Sequence, residues 1–373
     1  MVVGVKCNEN SVIETPCAYP ARVGKLLDYI FLNNSRINSG NPFDIMNKNQ
    51  ISVINLSRHG SPLSVILPFL NVILERMTIP PTALFIDFSV NDAFSDFQDA
   101  TLANEVFVRF MRENYPETEV FFIESYCSPQ SEKTYLMHRK IATHYGYPFI
   151  SYRSAVGAKS CQLQAIWGSQ GGITKHPPYF IHRNIAYSIV QAIFLMINKE
   201  CTSDYMQSPP LPTPISSANS LKGYKVCSPL SFYDADTLFP SNNQTGIHYI
   251  SGDWKLMEDR KGKPGWISMK KNGIIEFDVK FGEEPRLMFG FLKGYEKLGI
   301  AKLSFQGIDY KFKFHILNGI DSTSTTTQTF GMMISPAYYN VKEKKIMKYR
   351  GPLRVRIENL TNEKFKLNYI VSC

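Results

Sequence analysis

The feature that most constrains the fold is a change in hydrophobic periodicity at a proline- and serine-rich segment near the middle of the chain. Before this segment, apolar runs typical of buried strands alternate with amphipathic segments that repeat at helical spacing. After it, short strand-like segments follow one another with turn residues between them. The pattern predicts an α/β domain in residues 1–200, a linker at 201–224 and a β-sandwich in residues 225–373.

The first part of the chain predicts a doubly wound α/β sandwich with helices on both faces of the sheet. Its strand-like apolar runs lie at 2–5, 51–56, 83–88, 120–123 and 148–152. Helix-like segments separate the runs, and the last such segment covers 179–198. The run that begins at Ala83 is apolar without a break, which is typical of a strand in a parallel sheet covered on both faces.

The last part of the chain predicts an antiparallel, jelly-roll-like β-sandwich. Its strand-like segments lie at 273–279, 285–290, 300–305, 310–316, 353–357 and 365–371. Apolar and polar residues alternate within them, so one face of each strand is expected to be buried. A chain of 373 residues is long enough to bury two such cores.

The formal net charge of +9 comes from the second part of the chain. Residues 1–221 contain 17 Lys and Arg against 17 Asp and Glu, whereas residues 222–373 contain 24 against 15. Five basic residues lie close together, namely Lys342, Lys344, Lys345, Lys348 and Arg350. They predict either a solvated sheet edge or a surface that binds an acidic partner, which can be a protein or an anionic polymer. No nucleic-acid-binding motif accompanies the charge.

The cysteines and the start of the chain bear on cofactors and location. Seven cysteines form no CxxC pair and show no metal-ligand spacing, so we expect neither a metal nor another cofactor. No apolar run approaches the roughly 20 residues that a membrane span needs. Residues 1–4 lack the features of a signal peptide, which favours a cytoplasmic protein or a component of an organelle or assembly.

Three short segments contain candidate site residues. His176 follows a glycine-rich stretch and precedes the helix-like segment 179–198, a position from which an imidazole can act as a base in a cleft. The alternative is that His176 only begins the helix. The other two segments are Asn-Leu-Ser-Arg-His-Gly at 55–60 and Ser-Val-Asn-Asp at 89–92, and each follows an apolar run.

The order of these segments resembles the SGNH, or GDSL-type, hydrolase family. That family has a flavodoxin-like three-layer α/β/α fold, with a nucleophilic serine after the first strand and a histidine before the last helix. A glycine and an asparagine help to form its oxyanion hole. The resemblance implies that Gly60 and Asn91 are the oxyanion residues and that His176 is the base.

Two positions depart from the family pattern. Lys6 stands where the nucleophilic serine belongs, and Ile173 stands where the aspartate that orients the histidine belongs. Lysine forms no acyl-enzyme, and it is protonated at neutral pH unless it is deeply desolvated. Loss of the orienting carboxylate removes several powers of ten in rate from serine triads. We therefore expect a catalytically inactive hydrolase-like protein with a binding role or a structural role in an assembly.

An active enzyme is the alternative. Residues 9–14 also resemble the nucleophile segment of the family, with Ser11 as the serine. Ser11 and His176 would then make an esterase or acetyl-esterase, for which glycan esters are a candidate substrate. Cys7 is a further candidate nucleophile, although a buried thiol beside a strand is usually inert.

The second part of the chain is similar to the C-terminal β-sandwich of eukaryotic, algal-like SGNH proteins, notably in 252–266, 290–299 and 365–373. Trp254, Trp266 and Tyr295 lie in or beside these segments. Such aromatic rings either stack on sugars, which would make the domain a carbohydrate-binding protein, or fill the sandwich core.

Overall fold

The computed structural model divides into two compact units, one made of Met1–Arg58 and Ile79–Tyr224, the other of His59–Thr78 and Lys225–Cys373. The residues that the structure describes are 5–6, 13–14, 18–38, 53–56, 58, 60–75, 77, 79–127, 131–157, 177, 179–200, 210–222, 226–240, 245–260, 262–295, 297–306, 314–321, 327–340 and 345–373.

The helices of the described ranges are numbered in chain order. They are α1 (Tyr19–Asn38), α2 (Leu63–Ile66), α3 (Leu70–Glu75), α4 (Ser89–Asp92), α5 (Phe97–Asn114), α6 (Glu132–Tyr145), α7 (Tyr152–Val156), α8 (Tyr179–Glu200), α9 (Ala218–Lys222) and α10 (Ala235–Leu238). No helix in the described part of the chain combines the length and the apolar character that crossing a membrane requires.

The strands are numbered in the same way. In the first unit they are β1 (Val5–Lys6), β2 (Ile13–Glu14), β3 (Ala83–Ile86), β4 (Glu119–Glu124) and β5 (Phe149–Ser151). In the second unit they are β6 (Ser231–Asp234), β7 (Ile247–Ser251), β8 (Lys255–Arg260), β9 (Lys263–Ser268), β10 (Ile274–Phe281), β11 (Leu287–Lys293), β12 (Ile300–Gln306), β13 (His315–Asn318), β14 (Gln328–Ile334), β15 (Ala337–Asn340), β16 (Lys345–Lys348), β17 (Gly351–Asn359) and β18 (Phe365–Ser372).

The first unit contains a parallel sheet in the order β3-β4-β5. Helices α1 and α8 contact each other and contribute much of the core, which includes Val23, Leu27, Ile185 and Ile189. Parallel strands need crossover connections, and here α5 connects β3 to β4 while α6 connects β4 to β5. The predicted α/β architecture is confirmed.

Local signals set the ends of these crossover helices. The carboxylate of Asp96 accepts hydrogen bonds from the N–H groups of Gln98 and Asp99 at 2.9 and 3.0 Å, and α5 begins there. Helix α6 ends at Gly146, whose φ of +73° is the left-handed conformation common after a helix.

Two predicted strands at the start of the chain differ from the structure. Of the run 51–56, the structure describes 53–56, which form no strand; Val53 and Ile54 are 44% and 60% exposed. An apolar run alone does not specify a strand, because a strand also needs a neighbour with which to pair. Of the run 2–5, the described part is Val5, and β1 pairs antiparallel with β2.

Residues 210–222, in the stretch whose composition predicts a linker, belong to the first unit and pack on its helix α5. The two carboxylate oxygens of Glu105 accept hydrogen bonds from the N–H groups of Ile215 and Ser216 at 2.5 and 2.9 Å. Arg109 donates to the carbonyl oxygen of Pro212 at 2.8 Å. These contacts fix the segment on α5.

The second unit is an antiparallel β-sandwich, as predicted. One sheet has the order β13-β12-β17-β10-β7, and the other has the order β14-β11-β18-β9-β8 with β6 also paired to β18. Alternation explains the burial: Leu353, Val355 and Ile357 of β17 lie in the core, while Arg354 and Arg356 point away from it.

Segment 60–75 packs on this sandwich. The ring of Phe69 lies 5.1 Å from that of Tyr369 on β18, and Asn71 donates to the carbonyl oxygen of Cys227 at 3.4 Å. Cys227 and Cys373 form a disulfide with a Cα–Cα distance of 6.2 Å. This cross-link connects the beginning of the second unit's main segment to residue 373.

Candidate functional site

The carboxyl ends of the parallel strands β3, β4 and β5 lie at one edge of the sheet. The chain leaving β3 contains Asp87, Ser89 and Asn91, and the chain leaving β4 contains Ser125 and Tyr126. Open parallel sheets bind ligands at this edge. Topology therefore makes these polar residues candidates for a site.

The residues expected to carry the chemistry are only partly described. Ser11, Ile173 and His176, together with Cys7, lie outside the described residues. Lys6 is the second residue of β1. The roles assigned to these positions by the family resemblance stay predictions.

Gly60 belongs to the second unit and has a φ of +54°, a conformation that glycine adopts more easily than other residues. Its carbonyl oxygen accepts a hydrogen bond from the N–H of Thr329 at 3.0 Å. A Cβ at position 60 would approach Cα of Gln328 to 3.3 Å. Backbone geometry thus accounts for a glycine here, and the oxyanion role stays a prediction.

Asn91 lies on α4, the single helical turn that follows β3, and its side chain is half-buried. Its carbonyl oxygen accepts hydrogen bonds from Ser95 Oγ at 2.9 Å and from the N–H of Phe94 at 3.1 Å. The main chain around Asn91 is therefore held by its own turn. The assignment of its amide to an oxyanion hole stays a prediction.

Ser89 is the first residue of α4 and is completely buried. Its hydroxyl donates to Asp87 Oδ1 at 2.7 Å and accepts from the N–H of Tyr126 at 3.1 Å. Tyr19 donates to the other oxygen of Asp87 at 2.7 Å. Burial and the neighbouring Asp87 carboxylate raise the pKa of Tyr19 well above its ordinary value, so the phenol stays protonated. Ser89 therefore stabilises the edge of the sheet and is not available as a nucleophile.

Behind Asn91 lies a buried charged cluster of Asp92, Glu124 and His138. His138 Nε2 lies 3.1 Å from Asp92 Oδ2, and His138 Nδ1 lies 2.9 Å from Glu124 Oε2. Asn104 donates to the same Asp92 oxygen at 2.8 Å. Glu124 Oε1 is buried and has no hydrogen-bond partner among the described residues.

Electrostatics keep the imidazole of this cluster protonated at neutral pH. Burial lowers the pKa of His138, but hydrogen bonds to Asp92 and Glu124 outweigh that effect and raise it to about 10. Burial raises the pKa of Glu124 to about 7, even though the contact with His138 opposes this shift. Both ring nitrogens are occupied and the ring is buried, so His138 positions α4 rather than exchanging protons with a substrate.

Sequence reasoning missed this cluster. Asp92, Glu124 and His138 are far apart in the sequence, and although Asp92 ends the segment 89–92, Glu124 and His138 lie in no motif with a known spacing. Only the positions of two of these residues could have indicated a site, because Glu124 ends one strand of the parallel sheet and Asp92 closely follows another. Within the described ranges, no group of His, Cys, Asp or Glu side chains has the arrangement of a metal site.

The structure leaves one of the three candidate aromatic residues exposed. Trp254 and Trp266 are buried in the sandwich core, so of the two alternatives for these rings the structure favours a core role over stacking on sugars. Their packing on Phe365 and Phe277 shows what they do instead. Tyr295 is 57% exposed.

Comparisons with known proteins identify the fold. No family model and no curated protein matches the sequence. Among solved structures, the chain is similar to a two-domain esterase active on acetylated mannans, with a TM-score of 0.60, 16% identity, and coverage of 96% of this chain and 86% of that one. A second crystal structure of such an esterase, co-crystallized with mannopentaose, has a TM-score of 0.61, 15% identity, and coverage of 99% and 89%. At this identity the likeness establishes the fold alone: an α/β domain followed by a β-sandwich.

Proposed function

We propose that this chain is an SGNH-type hydrolase-fold protein that binds carbohydrate without cleaving ester bonds. The observation that carries the proposal is the residue at the nucleophile position. In the resemblance to the family, Lys6 stands where the family has its serine. An amine that is protonated at neutral pH does not attack an ester carbonyl.

The described part of the site supports this proposal. Ser89, two residues before Asn91, is buried and its hydroxyl is engaged with Asp87. The histidine of the buried cluster, His138, lies between Asp92 and Glu124. Neither side chain can replace a missing nucleophile or base, because neither reaches solvent.

Carbohydrate is the favoured ligand class for two reasons. The likeness to the acetyl-mannan esterase covers both units, so the sandwich accompanies the α/β domain here as it does there. The excess of basic over acidic residues lies in the second part of the chain, which suits an anionic polymer.

The test is hydrolysis of p-nitrophenyl acetate and of acetylated mannan by the purified protein, with binding to the same mannan measured in parallel. We expect binding and no hydrolysis above the buffer rate. The double variant Lys6→Ser with Ile173→Asp restores the family residues and should gain hydrolytic activity. Wild-type hydrolysis that is lost in His176→Ala would overturn the proposal.

An active esterase is the second candidate, and the two-domain likeness to an esterase favours it. In this case Ser11 is the nucleophile, His176 the base, and Gly60 and Asn91 the oxyanion donors. Ser11→Ala should then abolish hydrolysis, whereas Ser154→Ala, at an exposed position of the same unit, should leave it unchanged. Equal rates for both variants exclude Ser11.

A further inference from the structure

The second unit has an open groove of about 870 Å³ at one end of its five-stranded sheet. Strands β10 and β17 form its base, with Asp278 opposite Arg354 and Lys280 opposite Pro352. The side chains used below are those of Asp278, Lys280, Gln306, Tyr349 and Arg354, all of which line the groove.

The acidic residue of the groove is already neutralised. Arg354 Nε donates to Asp278 Oδ1 at 2.8 Å, and His248 Nε2 lies 2.8 Å from Asp278 Oδ2. Both carboxylate oxygens therefore have a partner. Asp278 does not repel an anion as an isolated carboxylate would, and it holds the guanidinium of Arg354 in place.

Lys280 supplies the uncompensated charge. Its side chain is exposed, and its ammonium has no ion pair or hydrogen bond with any residue in the described ranges. Its main chain is fixed, because its N–H donates to Ser231 Oγ at 2.9 Å and its carbonyl oxygen accepts from Ser372 Oγ at 2.8 Å. Among the described lining residues, the free charge of the groove is therefore positive.

Tyr349 forms a rigid aromatic wall. Its hydroxyl donates to the carbonyl oxygen of Pro352 at 2.7 Å, and its ring meets that of Phe281 edge-on at 6.4 Å. A ring held in this way loses little entropy when a ligand packs on it. The negative face of an aromatic ring attracts the C–H groups of a sugar, and the amide of the half-buried Gln306 can bond hydroxyl groups.

We propose that this groove binds a uronate residue of an acidic glycan, with Lys280 on the carboxylate, Gln306 and Arg354 on ring hydroxyls, and Tyr349 against the sugar ring. The inference rests on the proposed carbohydrate-binding function and adds the ligand class and its site. The groove is open at the surface, so it can also accommodate neutral sugars next to the uronate in the same glycan.

The test is calorimetric titration of the full chain with trigalacturonic acid and with its methyl ester, which removes the charge and keeps the sugar. We expect the acid to bind at least about tenfold more tightly, since a charge-assisted contact is replaced by a neutral one. Lys280→Gln should weaken the affinity for the acid by about the same factor and should leave the affinity for the ester unchanged. Lys271→Gln is the matched control, because this exposed lysine lies before the other end of β10.

Three outcomes overturn the groove assignment. They are equal affinity for acid and ester, unchanged affinity in Lys280→Gln, and equal affinity for a polyglutamate of the same charge, which would indicate simple ion exchange. If the wild-type protein binds glycan but the groove variants do not weaken it, only the groove assignment fails. If the wild-type protein binds no glycan, the proposed function fails as well. Circular dichroism of each variant confirms that it is folded.

Discussion

His138 on α6 and Glu124 at the end of β4 form a buried pair, with 2.9 Å between Nδ1 and Oε2. The other ring nitrogen of His138 reaches Asp92, the residue that follows Asn91. The pair therefore connects a crossover helix, the centre of the sheet and the turn that carries the candidate oxyanion residue. Its charge state should control how firmly this turn is held.

Stability should fall as the pH rises through the range in which this cluster loses protons. The pKa of His138 is raised from 6.5 to about 10, so its stabilisation is fully present below pH 6.5 and is lost towards pH 10. The pKa of Glu124 is raised from 4.5 to about 7, so the native state binds the extra proton between these values and stability also falls there as the pH rises. Urea unfolding at pH 5, 7 and 9 should give decreasing free energies of unfolding. The assignment of this pH dependence to the cluster would be contradicted if the free energy of unfolding of the wild-type protein stayed constant or rose with pH. It would also be contradicted if His138→Gln showed the same pH dependence as the wild type.

Removing the imidazole should cost more than removing an exposed charge on the same helix. His138→Ala leaves Asp92 and Glu124 buried without their shared cation, and such a loss costs about 3–5 kcal/mol. Lys140→Ala, at an exposed position of α6, should change the free energy of unfolding by less than about 0.5 kcal/mol. Chemical denaturation at pH 6.5 measures both. Equal effects would mean that the cluster is not an ion pair.

The cluster illustrates which parts of this molecule can be predicted from sequence. Local periodicity predicts the sandwich, because strands such as β12 and β17 alternate core residues with more exposed ones regardless of their partners. The α/β domain follows from a different pattern, in which apolar runs alternate with segments of helical spacing. Periodicity could not identify Asp92, Glu124 and His138 as neighbours, since their contact depends on the order of strands in the sheet.

One wrong prediction and one question that the sequence left open have related physical causes. The apolar run at 53–56 has the composition of a strand, but in the structure its residues are exposed and form no strand. Trp254 and Trp266 are aromatic residues of the kind that can form a sugar platform, but both lie in the core, Trp266 within β9 and Trp254 just before β8. The composition of a segment does not show whether its side chains face the core or the solvent. Only the burial seen in the structure shows this for the run 53–56 and for the two tryptophans.

Glu105 should determine whether segment 210–222 stays on the first unit. Its carboxylate accepts from Ile215, Ser216 and Tyr145, and these bonds lower its pKa even though burial alone would raise it. Glu105→Gln places an amide N–H₂ against a main-chain donor, which should cost about 1–3 kcal/mol. Hydrogen exchange of residues 212–217 should accelerate in this variant. Glu113→Gln, at an exposed position of the same helix, should leave their exchange unchanged.

Asp259 offers a corresponding test in the second unit, with the opposite dependence on pH. Lys366 is buried and donates to Asp259 Oδ1 at 2.6 Å, while Lys364 donates to Oδ2 at 3.0 Å. Burial alone would raise the pKa of Asp259, but its bonds to the two lysines lower it below 3.8. The stabilisation is therefore present above pH 3.8 and is lost as the pH falls through the lower value of the folded state.

Asp259→Asn should cost about 3–5 kcal/mol at pH 7, because the Lys366 ammonium stays buried without its counter-ion. Asp321→Asn is the matched control, since the ion pair of Asp321 with Lys293 is partly exposed and worth at most about 1 kcal/mol. Urea unfolding of both variants separates the two cases. If the difference between wild type and Asp259→Asn does not shrink as the pH is lowered below 3.8, packing rather than charge holds Lys366, and the ion-pair explanation fails.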